Sequence, residues 1–175
     1  MNSKKKNSNV SIDKKTSTSH FVHRLPLKRT EKCLIHKHRL KFCASEDITL
    51  TGLGFLVAKN IDRVTITVSH RLEDRYNPIT AGEDFWNVSS SDSTVILRWR
   101  KPLPLTCDKI YLLSVTLHGG ASIVGHGGEE FITVERGQRG EPGDLGGNVL
   151  FKFEDFKQDK TTVEKGVIEK IFFHL

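Results

Sequence analysis

Residues 63–70 read RVTITVSH and residues 93–100 read STVILRWR. In the first stretch Val64, Ile66 and Val68 alternate with Thr65 and Thr67. In the second, Val95, Leu97 and Trp99 alternate with Thr94, Ile96, Arg98 and Arg100. A period of two built from β-branched and aromatic side chains describes strands with one face buried. The same reading extends to DITLTGLGFLVA (47–58), KIYLLSVTLH (109–118), EEFITVE (129–135), NVLFKFED (148–155) and GVIEKIFFHL (166–175). Turn signals separate them, among them Asn77-Pro78, Ala81-Gly82 and Pro102 to Pro104. Nothing in the pattern sustains a helix longer than two turns. The expected fold is all-β: an antiparallel sandwich, jelly-roll-like, of about eight to ten short strands. Trp99, in register with Val95 and Leu97, belongs to its core. In the pair Phe85-Trp86 an extended backbone exposes one ring, which makes Trp86 a candidate partner anchor; the alternative is that both rings cover the end of the core.

Charge is unevenly spread. The chain of 175 residues carries a formal +6, yet residues 1–41 hold twelve of its 27 Lys and Arg and only two of its 21 Asp and Glu. The basic balance belongs to the N-terminal stretch, and the rest is mildly acidic. Residues 1–32, rich in Lys, Ser and Asn, predict a disordered basic tail ahead of a folded unit over 38–175. Such a tail suits weak contact with nucleic acid or a nuclear import signal. No aromatic residue precedes Phe21 to stack on a single strand. The opening MNSKKKNSNVSIDKK has no apolar stretch behind its lysines, so it does not read as a secretory signal. No run of 18 apolar residues suggests a membrane span. Cys33, Cys43 and Cys107, odd in number and scattered, favour reduced thiols and a cytoplasmic setting, with the nucleus as alternative.

Chemistry is harder to find. Ten of the fourteen glycines lie in residues 119–147, and the stretch LHGGASIVGHGGEEF (117–131) is the obvious place to look. A phosphate cradle needs a helix after the glycine turn; here Glu129, Glu130 and another strand follow. A zinc site needs three or four ligands, and His118 and His126 have only Ser122 between them, while His36 and His38 supply no more than a pair. No GxSxG turn or other nucleophile motif appears, so no enzyme, metal or cofactor is expected. GQRGEPGDLGG (137–147) repeats glycine every third residue, but over too few triplets for a triple helix, and it reads as a loop.

Four stretches, in order, resemble the PHR domain, the β-sandwich module shared by Pam and Highwire ubiquitin ligases and by BTB-domain adaptor proteins. They are LKFCASEDITLTGLGFLVA (40–58), ILRWRKPLPLTCDKIYLLSVTL (96–117), LHGGASIVGHGG (117–128) and VLFKFEDFKQDKTTVEKGVIEKIFFHL (149–175). In the last, Phe151, Phe153, Thr162, Val163, Gly166, Ile168, Ile171 and Phe173 stand in the family's positions. Gly120, Val124, Lys160 and Glu169 depart from it, in or beside loops. The BTB, BACK and RING modules that accompany PHR domains elsewhere are not among these residues. The resemblance implies a non-catalytic protein-interaction module that recognises a partner or a ubiquitylation substrate. The binding residues expected from the glycine stretch are His118, Gly119, Gly120, Ser122, Gly125 and His126, with Trp86 beside them. The alternative is a small-molecule or carbohydrate-binding jelly roll using Tyr76, Phe85 and Trp86.

Overall fold

The computed structural model describes residues 19–33, 36–57, 61–80, 82–88, 94–119, 122–135, 147–157 and 161–175. It is all-β and contains thirteen strands among those residues. One sheet has four strands in the order β1 (His20–His23), β13 (Ile168–His174), β4 (Ile48–Leu56) and β8 (Thr94–Leu105). The other runs β11 (Phe131–Glu135), β12 (Asn148–Asp155), β3 (Lys37–Ala44), β9 (Tyr111–His118), β5 (Ile61–Leu72) and β6 (Arg75–Pro78). β7 (Glu83–Val88) also pairs with β5. A two-stranded ribbon joins β10 (Ser122–His126) to β2 (Leu27–Cys33). Every strand pairing is antiparallel.

The alternation that defines the strands also builds the core. Val64, Ile66 and Val68 of β5, Leu113, Val115 and Leu117 of β9, and Phe151 and Phe153 of β12 are buried on one sheet. They share one cluster with Leu53 and Phe55 of β4, Ile171 and Phe173 of β13, and Val95 and Trp99 of β8. Each such side chain contributes roughly 1.5–3 kcal/mol of transfer free energy, which makes the register of both sheets costly to shift.

Three expectations change. The strand count exceeds eight to ten because short elements join the sheets where composition masks them. The folded part also starts ahead of the expected boundary at residue 32. β1 pairs with β13 through His20↔Phe173 to His23↔Lys170, and β2 pairs with β10. Val22 and Leu25 are fully buried, so two apolar residues anchor a stretch that lysine-rich neighbours made look like a tail. Residues 1–18 and most of the collagen-like stretch lie outside the described residues. Finally, Pro102 and Pro104 do not mark a turn but lie within β8. β8 is a sheet edge, where a missing N–H breaks no ladder bond.

Candidate interaction surface

β5 has β7 on one side and β9 on the other, and the registers coincide. Arg63 is the cross-strand partner of both Trp86 and His118. Directly paired residues share a face, so Trp86, Arg63 and His118 form one row across three strands. The next row on that face is Asp84, Thr65 and Thr116.

The side chains follow the backbone. The Arg63 guanidinium carbon lies 4.7 Å from the centre of the Trp86 ring, within the range of a cation–π contact. Arg63 Nη2 is 3.3 Å from His118 Nδ1, and His118 Nε2 is 3.1 Å from Thr65 Oγ1. Thr65 in turn donates to Asp84 Oδ1 at 2.6 Å. Arg63 Nη2 is also 3.4 Å from His118 Nε2, so the imidazole sits between a guanidinium that can only donate and a Thr65 hydroxyl turned toward Asp84. The chain Arg63–His118–Thr65–Asp84 thus fixes the guanidinium on which Trp86 rests. Trp86 itself is 65% exposed, whereas its neighbour Phe85 packs against the core. The expectation that one ring of that pair faces outward holds, and it is Trp86.

The glycine stretch is not the single loop that the sequence suggested. Gly119 turns the chain out of β9 with φ +78, and a Cβ there would sit 2.5 Å from Asp62 Oδ2. Gly120 lies outside the described residues. Residues 122–126 then return as strand β10. Ser122 is only 2% exposed and bridges to Val57, so it lies inside the fold and not at its surface. Gly125 is buried, exchanges backbone hydrogen bonds with Gly166, and would bring a Cβ to 2.8 Å from Leu56 Cδ1. Its glycine is required by close packing and not by ligand approach. His126 is half-buried opposite Leu27 on the ribbon. The structure brings His118 and Trp86 together, with Gly119 at their margin, and leaves Ser122, Gly125 and His126 in the β10–β2 ribbon. Among the described residues no three His, Cys, Asp or Glu side chains converge as a metal set.

Arg63, Thr65 and Asp84 are the residues that sequence reasoning missed. The signal was half present: Arg63 and Thr65 occupy the polar face of RVTITV. What was absent was the pairing partner of each strand, which no periodicity specifies.

The fold is an antiparallel β-sandwich with an exposed aromatic–cation row on one sheet face. The comparisons with known proteins narrow this. The family model for the PHR domain matches residues 31–174. The chain belongs to the PHR-domain family, a family of non-catalytic interaction modules. No curated protein matches it.

Proposed function

We propose that this PHR domain recognises a protein partner through the row Trp86–Arg63–His118, in the ubiquitin-ligase setting that the family resemblance implies. The observation that carries the reading is Trp86, a large apolar ring exposed to solvent yet held by Arg63. A rigid exposed Trp offers apolar area at small entropic cost, and Trp and Arg are the side chains most enriched at interaction hot spots. Because among the described residues β7 pairs only with β5, the ring stands at the margin of the sheet, open to an approaching segment. The partner should present an apolar or aromatic side chain to Trp86 and an acidic group to Arg63. Gly119 lets that segment pass close to the backbone at the end of β9. Ser122 and Gly125 act indirectly, by holding β10 in place. The cytoplasm, or the nucleus, is the compartment that goes with this reading.

The test is affinity capture from lysate with the wild-type chain and with Trp86→Ala and Arg63→Gln, followed by calorimetry with the recovered protein. Trp86→Ala should weaken the purified pair by roughly 30-fold or more, the scale of a hot-spot residue. Equal affinity for wild type and both variants overturns the reading. A glycan-array signal that disappears in Trp86→Ala would favour the carbohydrate alternative, although Phe85, one of its three candidate aromatics, is turned inward.

A further inference from the structure

A second arginine, next to β1, has very different surroundings. Arg24 follows β1 directly and is 2% exposed. Its Nε donates to the carbonyl of Ile168 at 3.1 Å and its Nη1 to that of Val163 at 2.9 Å. The guanidinium carbon sits 5.3 Å from the centre of the Phe153 ring. Among the described residues no carboxylate reaches ion-pair distance of it. The nearest acidic influence is Asp155, whose Oδ1 accepts the backbone N–H of Val163 at 2.6 Å. Burial pushes the Arg24 pKa down to about 10, and Asp155 opposes this only in part.

Beside the guanidinium is a small cavity lined by Arg24, His38, Thr161, Thr162, Gly166 and Ile168, among others. Thr161 is 5% exposed, and its Oγ1 has no hydrogen-bond partner among the described residues. His38 is also buried. Gly166 leaves open the side next to Arg24 Nη2, where a Cβ would come within 3.3 Å. The space available to the centre of a water-sized sphere is about 10 Å³, which is room for one such sphere.

We propose that this cavity is a binding site for one monatomic anion of halide size, held by Arg24 Nη2 and the Thr161 hydroxyl. Both groups can donate, and a cation buried without a carboxylate is stabilised far more by an anion than by a neutral molecule. In a cell the abundant anion of that size is chloride. The site joins β1 to the loop that precedes β13, so its occupancy stabilises the closing segment of the fold and does not touch the Trp86 row.

The experiment is thermal unfolding of the full chain in mixtures of sodium chloride and sodium gluconate at constant ionic strength, gluconate being too bulky for the cavity. For a dissociation constant on the order of 50 mM, raising chloride from about 10 to about 300 mM should lift Tm by about 2–4 °C. Thr161→Val, which keeps the volume and removes the hydroxyl, should fold and lose most of that shift. Arg24→Met tests the charge, and Thr161→Val keeps the proposal falsifiable if that variant does not fold. A bromide-soaked crystal should show an anomalous peak between Arg24 and Thr161. A Tm that ignores chloride at fixed ionic strength, an undiminished shift in Thr161→Val, or a cavity holding water alone in the bromide crystal would each overturn it.

Discussion

Cations rest on aromatic rings on both sheets of this sandwich. On the seven-stranded sheet Arg63 lies against Trp86; on the four-stranded sheet Arg98 lies 3.8 Å over Phe172. The contact chemistry is similar, but the floor beneath it differs. Arg63 stands in register between Trp86 and His118 and has a neighbour on each side. Between Phe172 and Arg98 the register position is Gly52. With no side chain there, Arg98 reaches across the gap and roofs the ring, while Phe21 covers it from β1. Phe172 ends 7% exposed and Trp86 65%. The difference teaches that a cation–aromatic contact is not by itself a mark of function. Where a glycine floor lets the cation bury the ring, the contact is part of the fold; where the row is filled, the ring stays available.

Truncating each ring should therefore separate the two faces most sharply. Phe172→Ala removes a covered ring and should cost about 3 kcal/mol of stability. Trp86→Ala should cost about 1 kcal/mol or less, since its ring is mostly in water already, while weakening the proposed partner binding by roughly 30-fold or more. Urea unfolding midpoints of the two variants check this, and a Trp86→Ala loss as large as that of Phe172→Ala would break the comparison. Next in size is the floor itself. A Cβ at position 52 would lie 2.5 Å from the Leu97 carbonyl oxygen and 2.8 Å from Arg98 Cδ. The carbonyl belongs to the β4–β8 ladder, so no rotamer change relieves it, and Gly52→Ala should destabilise by roughly 2–3 kcal/mol. The variant should also displace Arg98 from Phe172, visible as a changed ring environment in near-ultraviolet or NMR spectra. Unchanged stability and spectra would show that the floor is not what sets the difference.

Much of this was legible in the sequence, and the reason it stops is specific. Val64, Ile66 and Val68 announce a buried strand face because burial imposes a period of two on a single segment. The burial of Trp99 follows from the same local rule, which in the pair Phe85-Trp86 did not say which ring turns outward. The PHR resemblance extended over the closing segment, whose Phe151, Phe153, Ile171 and Phe173 are all in the core. The Arg63 row was not legible, because Trp86 and His118 are distant in the chain and meet only through the pairing of β7, β5 and β9. Gly52 and Gly125 posed the converse problem. Gly125 looked like a recognition glycine and Gly52 like an ordinary strand position, yet a Cβ at either would meet a close neighbour, the Leu97 carbonyl at 52 and the Leu56 side chain at 125.

A double-mutant cycle on each pair measures a smaller quantity, the contact itself. The coupling between Arg98 and Phe172, on a covered ring, should approach about 2 kcal/mol. That between Arg63 and Trp86, exposed to water, should fall to about 0.5–1 kcal/mol. Salt sharpens the test, because screening weakens the exposed pair more than the covered one. Equal couplings at low and high salt would remove burial as the variable that distinguishes them.

The smallest effect belongs to a third cation near an aromatic, one already held by a carboxylate. Lys152 Nζ lies 5.9 Å from the centre of the exposed Phe131 ring, but it also pairs with Glu154 Oε1 at 3.1 Å. Lys41 reaches the other oxygen of Glu154 at 3.3 Å. The Lys152 hydrogen bond, helped by that from Lys41, holds the Glu154 carboxyl below the ordinary 4.5, although partial burial opposes it. The same bond, with the Glu154 charge, holds the Lys152 ammonium above its ordinary 10.5. For Glu154 the lowered value means a contribution to stability that is complete above 4.5 and is lost as pH falls through the depressed folded value. For Lys152 the raised value means a contribution complete below 10.5 and lost as pH rises through the elevated one. The pair is therefore at full strength on the plateau between those limits. Glu154→Gln should lower the urea midpoint slightly at pH 7, and its difference from wild type should shrink toward pH 3. Phe131→Ala should leave the midpoint nearly unchanged at both values, because the ammonium is already committed to Glu154. A Phe131→Ala loss that exceeds that of Glu154→Gln at pH 7 would mean the ring, not the carboxylate, holds Lys152. Phe131 would then join Trp86 as a ring kept in place by a cation on the open face of the sheet.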